Sequence, residues 1–267
     1  MTAKAFIKKV IKSLLPVGVF VYWSGYKSSC FFKKNRKRVE AVAKSFADER
    51  SREVYFGIIR ARCGEGEFAD FYTKQTQYFE NEFFVYGDDE FLIDCGAFIG
   101  DTIDDFIKFV PNYRGVISFE ASPRSFEILK NRYGDNPKIQ LINKAVWSGI
   151  AEVNFTDSSD YDGAGNRIGI KGEQNVINVK TTSIDALELR EKVTFIKMDI
   201  EGAEMEALKG AKNTILRDRP RLAICIYHSD EEMIAIAEWI RKLMPEYKLY
   251  VRHHWHNIWE TTLYGVI

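Results

Sequence analysis

The chain lacks what a metal ribbon, a disulfide-framed domain or a membrane-spanning protein would need. Its four cysteines, Cys30, Cys63, Cys95 and Cys225, are scattered over 267 residues with no C-x-x-C spacing, which excludes a zinc ribbon and a disulfide scaffold. Two of them lie inside apolar strand patterns, the setting of reduced, buried thiols, and this points to the cytoplasm. Charge of neither sign is in excess: 38 Lys and Arg balance 38 Asp and Glu. No global field therefore favours nucleic acid, and a nucleic-acid partner is not expected. The apolar run Leu14 to Trp23 contains Pro16 and Gly18 and is too short to span a bilayer. No convincing small-x-small cleavage site accompanies it, and neither internal repeats nor simple-composition segments occur. A hydrophobic share of 46% and a charged share of 28% describe an ordinary globular protein with a sizeable core.

Near the N-terminus Phe6, Ile7, Val10, Ile11, Leu14 and Leu15 recur at helical spacing, with Lys4, Lys8, Lys9 and Lys12 elsewhere on the wheel. Such a helix either rests on a membrane surface or packs on its own domain or a partner subunit, and packing is the favoured expectation. The cluster Lys33-Lys34-Asn35-Arg36-Lys37-Arg38 reads as a solvated helix face before it reads as a phosphate or acidic-lipid site. Val39, Val42, Ala43 and Phe46, then Phe68, Phe71 and Tyr72, extend the helical spacing, so residues 1–88 form a helical region, a cap or an oligomerisation surface for a homo-oligomer. From residue 89 strands alternate with helices. Strands are predicted at Phe91–Cys95, Val116–Glu120, Ile139–Val146, Thr194–Ile200 and Arg221–Tyr227, and helices at Thr102–Phe109, Pro123–Arg132, Ala203–Leu216 and Glu231–Leu243. That order builds an α/β, mostly parallel, Rossmann-like sheet, closed by an antiparallel C-terminal hairpin of Tyr247–His254 and Glu260–Val266. The turn-rich insert between Asp157 and Asn175 is either a lid or a surface excursion.

The chemistry gathers at strand ends. Phe91-Leu-Ile-Asp94-Cys95-Gly96-Ala97-Phe98-Ile99-Gly100-Asp101-Thr102 runs from strand through glycine loop into helix. Gly96 and Gly100 suit close approach of backbone to a ligand, and acids on both sides suit a cationic nucleoside cofactor better than a pyrophosphate. Glu120 ends the second strand, where an acid clamps both hydroxyls of a ribose. Ala145, at the end of strand three beside Lys144, is placed to lie against an adenine. Asp199 and Glu201 leave the fourth strand just before a helix, whereas Glu204 and Glu206 read as first-turn acids on a helix dipole. His228, ending the fifth strand, pairs with Asp199 as an acid–base couple or as two ligands of Mn²⁺ or Mg²⁺.

These segments, with Asn143-Lys-Ala-Val, Lys197-x-Asp-Ile-Glu-Gly-Ala-Glu204, Leu208-Lys-Gly-Ala211, Ile226-Tyr-His228 and Arg252-His-His254, resemble the FkbM-type family of S-adenosylmethionine-dependent methyltransferases from about Gln77 to the C-terminus. The resemblance implies a class I methyltransferase sheet and O-methylation of a hydroxyl on a sugar, sugar nucleotide or surface-polysaccharide unit. The expected cofactor contacts are Gln77, Asp94, Gly96, Ala97, Gly100, Asp101, Thr102, Glu120, Ala121, Ser122, Lys144 and Ala145. Asp199, His228 and Glu201 form the expected catalytic set, and Arg252, His253 and His254 the expected contacts to a carbohydrate acceptor. The competing readings are a nicotinamide oxidoreductase on the same sheet, disfavoured by the missing third glycine, and a catalytically silent cofactor-binding module.

Overall fold

Five consecutive buried residues, Phe91–Cys95, make strand β1, and their alternation organises the molecule. The computed structural model describes residues 17–79, 82–157, 167–168 and 176–267. The amphipathic pattern of residues 4–15 and the turn-rich cluster at 161–166 lie outside them. Successive side chains of a strand point to opposite faces. Phe91, Ile93 and Cys95 therefore enter one core layer and Leu92 the other. A strand buried on both sides belongs in the middle of a parallel sheet. Strand β1 indeed lies between β2 (Gly115–Phe119) and β8 (Phe195–Met198), parallel to both.

Strands β3 (Ile139–Ile142), β9 (Arg221–Cys225), β10 (Lys248–His253) and β11 (Thr261–Val266) complete a seven-stranded sheet in the order β10-β11-β9-β8-β1-β2-β3. Strand β11 is antiparallel to both neighbours, β9 and β10, so the closing hairpin inserts its second strand into the sheet. Helices α1 (Val17–Lys34), α2 (Arg36–Ser45) and α3 (Glu49–Arg62) precede the sheet. The apolar faces of α2 and α3 share one core with Ile93, Ile196, Leu222 and Val251. Helices α4 (Asp101–Phe109) and α5 (Pro123–Tyr133) cover the other face through Ile103, Phe106 and Leu129. Each such fully buried side chain contributes about 1.5–3 kcal/mol. The outer edge of β10 is covered too, by bridges from Phe46 to Leu249 and from Tyr72 to His253, which removes an open strand edge.

Two elements depart from the pattern read along the chain. The predicted strand Ile139–Val146 breaks at Asn143, whose side-chain amide donates to the Glu120 carbonyl at 2.9 Å. Beyond the break β4 (Ala145–Val146) joins a second, four-stranded sheet with β5 (Glu152–Thr156), β6 (Arg167–Ile168) and β7 (Val176–Thr182). The predicted helix Ala203–Leu216 is two helices, α6 (Glu204–Lys209) and α7 (Lys212–Asp218). Helix α7 starts afresh because the Asp185 carboxylate accepts the amides of Asn213 and Thr214 at 2.9 and 2.8 Å. A cap supplied from so far upstream leaves no mark in the local periodicity. Helix α8 (Glu232–Leu243) follows β9 as expected.

Candidate active site

The carboxyl ends of β1 and β2 meet at the glycine loop. Gly96 has φ +84°, and a Cβ there would stand 1.9 Å from the Asp199 carbonyl oxygen; at Gly100, with φ +94°, it would stand 2.3 Å from the Tyr133 ring. Both glycines are thus required by protein packing as well as by their left-handed backbone. Glu120 is buried, and its two carboxylate oxygens accept the amides of Phe98 and Ser122 at 2.8 and 2.7 Å. Burial lifts its pKa to about 7 against those two amides. Phe98 takes a left-handed φ of +47° to reach it, a local cost of the kind that sites retain. Ser122 caps α5, accepting the Ser125 amide at 3.3 Å and donating to Asp157 at 2.8 Å. Thr102 is buried and Asp101 exposed in the first turn of α4, while Ala145 packs with Phe155 and Val179 in the second sheet, against half-buried Ala121. Lys144 is half-buried between the two sheets' strands. This donor set fits an adenosine-bearing cofactor: a fixed acid with free acceptor lone pairs at the end of β2, as a ribose requires.

Asp94 does not stand free beside the loop. Its Oδ1 lies 3.1 Å from Lys197 Nζ, both side chains are buried, and the two residues are register partners on β1 and β8. Lys197 Nζ also donates to the Gly96 carbonyl at 2.6 Å. Burial alone would lower the lysine's pKa; Asp94, then Asp199 and Asp101, outweigh it and hold the ammonium charged. Lys197 was not singled out in the sequence, although its even spacing from Phe195 puts it on the same sheet face as Asp94.

Beside the glycine loop an acid cluster surrounds one imidazole. Asp199 accepts the Tyr78 phenol at 2.8 Å on Oδ2 and the Tyr227 phenol at 3.0 Å on Oδ1. His228 Nε2 lies 3.4 Å from Asp199 and 3.6 Å from Glu201, and its Nδ1 lies 3.3 Å from Glu204. Burial would lower the His228 pKa, but Glu204, then Asp199 and Glu201, hold it up at about 10. His228 is therefore held as a cation at neutral pH beside the Asp199 carboxylate. The Asp199 carboxyl goes the other way: Lys197 and His228 overcome burial and keep it ionised. Burial raises Glu201 to about 7, with His228 opposing. Its backbone is left-handed at φ +57°. Glu204 is more than a first-turn acid, since besides His228 it accepts the amides of Ile200 and Gly202 at 2.7 and 3.0 Å.

The model of the methyltransferase FkbM domain matches residues 94–250, from Asp94 in β1 to Tyr250 in β10. The chain belongs to the FkbM methyltransferase family. Methyltransferase FkbM from Methylobacillus flagellatus KT is 25% identical with a TM-score of 0.75, over 91% of this chain and 60% of that one; this chain thus spans 60% of that protein's length. An rRNA methylase from Streptococcus thermophilus is 14% identical at a TM-score of 0.43, over 68% of this chain and 87% of that one. Fibrillarin from Aeropyrum pernix, in complex with S-adenosylmethionine, is 17% identical at 0.41, over 67% and 66%. No curated protein matches the chain.

Outside the matched segment, on either side of it, four expected contact residues are engaged with other parts of the protein. Gln77 does not join the glycine loop; its amide donates to Glu260 and, at 3.5 Å, to Thr262 at the start of β11. Arg252 is buried, donating from Nη2 to Asp48 and Glu82, both at 2.8 Å, and from Nη1 to Ser51 at 3.0 Å. His253 and His254 are buried as well, bonded to Thr261 at 2.9 Å and to the Tyr264 hydroxyl at 2.8 Å, and burial lowers both to about 4. All three hold the hairpin to the N-terminal helices and the core. Replacing Arg252 by Met is expected to cost only about 1–2 kcal/mol, because Asp48 and Glu82, left unpaired, keep part of their surface in water. Denaturant unfolding measures it, and an unchanged KM for the acceptor separates this role from substrate contact.

The two expected metal ligands, Asp199 and His228, come together with Glu204 in a group that could hold a divalent ion. Ligand atoms of Asp199, Glu204 and His228 lie within 4.8 Å of one another. Asp199 also accepts two phenols and Glu204 two amides. Asp199, Cys225 and Glu260 form a second such group, but burial raises the Cys225 pKa and keeps its sulfur a thiol.

Proposed function

We propose that this chain is an S-adenosylmethionine-dependent O-methyltransferase acting on a hydroxyl of a sugar, sugar nucleotide or surface-polysaccharide unit. The observation that carries the reading is Glu201, a partly exposed carboxylate with a pKa raised to about 7, set just past the end of β8 beside His228. When bound, S-adenosylmethionine supplies an electrophilic methyl group on a cationic sulfur. Glu120 accepts the ribose hydroxyls, and the loop from Gly96 to Gly100 shapes the floor. Glu201 takes the proton of the acceptor hydroxyl, a poor nucleophile until that proton leaves. His228 does not compete for it, being protonated already. Asp199, clamped by Tyr78 and Tyr227, fixes the imidazolium beside Glu201. Support for a carbohydrate comes from Trp255 and Trp259, both about half exposed, with the Trp259 ring 5.9 Å from that of Tyr227, which donates to Asp199; flat indoles stack on the apolar faces of sugar rings.

Isothermal titration with S-adenosylhomocysteine is expected to give a dissociation constant in the micromolar range. Absence of binding removes the reading. Binding without turnover on any sugar acceptor identifies a silent module instead.

A further inference from the structure

The balanced charge of the whole chain conceals a division. Ten of the 38 basic residues precede Glu40, and none of the 38 acidic residues does, so residues 40–267 carry 28 basic against 38 acidic side chains. The one-sided block is interleaved with apolar residues, including the run Leu14 to Trp23. Basic and apolar residues mixed in this way suit the interface of an anionic bilayer, where lysines meet headgroups and apolar side chains enter the acyl boundary. A nucleic-acid site would need the charge without the apolar share.

Helix α1 is fastened to the domain through its C-terminal half. Ser28 Oγ donates to Asp230 at 2.8 Å, and Phe32 is buried in the core. The same half presents Tyr26, 61% exposed, with Lys33 and Lys34, and Lys37 continues the exposed patch at the start of α2. None of these three lysines is in an ion pair among the described residues. No described helix is long and apolar enough to cross a membrane. The fastening also leads to the crevice: Asp230 accepts Arg62 Nε at 2.7 Å, and Arg62 Nη1 donates to the carbonyl of Tyr227, the neighbour of His228, at 3.0 Å.

We propose that α1, with the basic turn into α2, is a docking surface for an anionic lipid bilayer, and that it seats the crevice beside the membrane. If the methyltransferase reading above holds, on which only this consequence rests, the acceptor sugar is one carried on a membrane lipid. Flotation of the full chain with vesicles tests the docking. It should float with phosphatidylcholine vesicles containing phosphatidylglycerol, sink with phosphatidylcholine alone, and detach as salt is raised. The triple variant Lys33→Glu, Lys34→Glu, Lys37→Glu should partition about a hundred-fold less while binding S-adenosylhomocysteine as the parent does. Equal flotation with both vesicle types, flotation with neither, insensitivity to salt, or capture of single-stranded RNA in place of vesicles each overturns the proposal. A misfolded variant would show itself by loss of S-adenosylhomocysteine binding, and the salt dependence of the parent then decides. Failure here leaves the cofactor titration untouched, so the two readings fall separately.

Discussion

Glu201→Gln is expected to lower kcat by about a thousand-fold, with KM and the affinity for S-adenosylhomocysteine nearly unchanged. The side chain keeps its shape and loses only the capacity to take a proton. The pH profile carries the same information independently. An acid whose pKa is raised to about 7 is protonated, and useless as a base, below that value. The parent kcat should therefore rise as pH increases through about 7 and level off above it, while the residual rate of the variant stays flat through that window. His228 contributes no limb there, because it keeps its proton until about pH 10. Equal losses in cofactor affinity and turnover would show that Glu201 serves the cofactor, and a parent profile falling from pH 6 to 8 would exclude it as the base.

Lys197→Met is expected to destabilise the fold by about 3–5 kcal/mol, because it strands a carboxylate that has no exposed surface. Thermal unfolding should shift down by about 10 °C. Adding Asp94→Asn should recover most of that loss, since the cost lies in the uncompensated charge and not in the missing lysine contacts. A single variant within about 1 kcal/mol of the parent would show that Asp94 is neutral in the native protein. The pair also joins the two halves of the crevice: Lys197 touches the Gly96 carbonyl on the cofactor side, and its ammonium lies 5.2 Å from the ring of Tyr78, which holds Asp199.

Much of this was legible along the chain. The residues Phe91–Cys95 announce a strand buried on both faces, and the change from helical spacing to strand–helix alternation near residue 89 announces the sheet. Asp199, Glu201 and His228 could be placed together because each ends a strand, and parallel strands bring their carboxyl ends to one side. The second sheet was not legible, since β5 and β7 flank an insert whose composition reads as turns. Neither was Arg252, which stands in a motif beside two histidines and looks like a substrate contact until Asp48 and Glu82 are seen against it.

The sequence by itself determined the architecture and the positions where chemistry can occur, because strand alternation, helix spacing and the glycine turn act between neighbours in the chain. Only the tertiary structure decided what those groups are. Whether a carboxylate is a base, a counter-ion or a cap depends on the charges and amides that distant segments bring within about 4 Å. Asp94 became the partner of Lys197, His228 a cation ringed by acids, and Glu201 the acid poised near neutrality, for that reason.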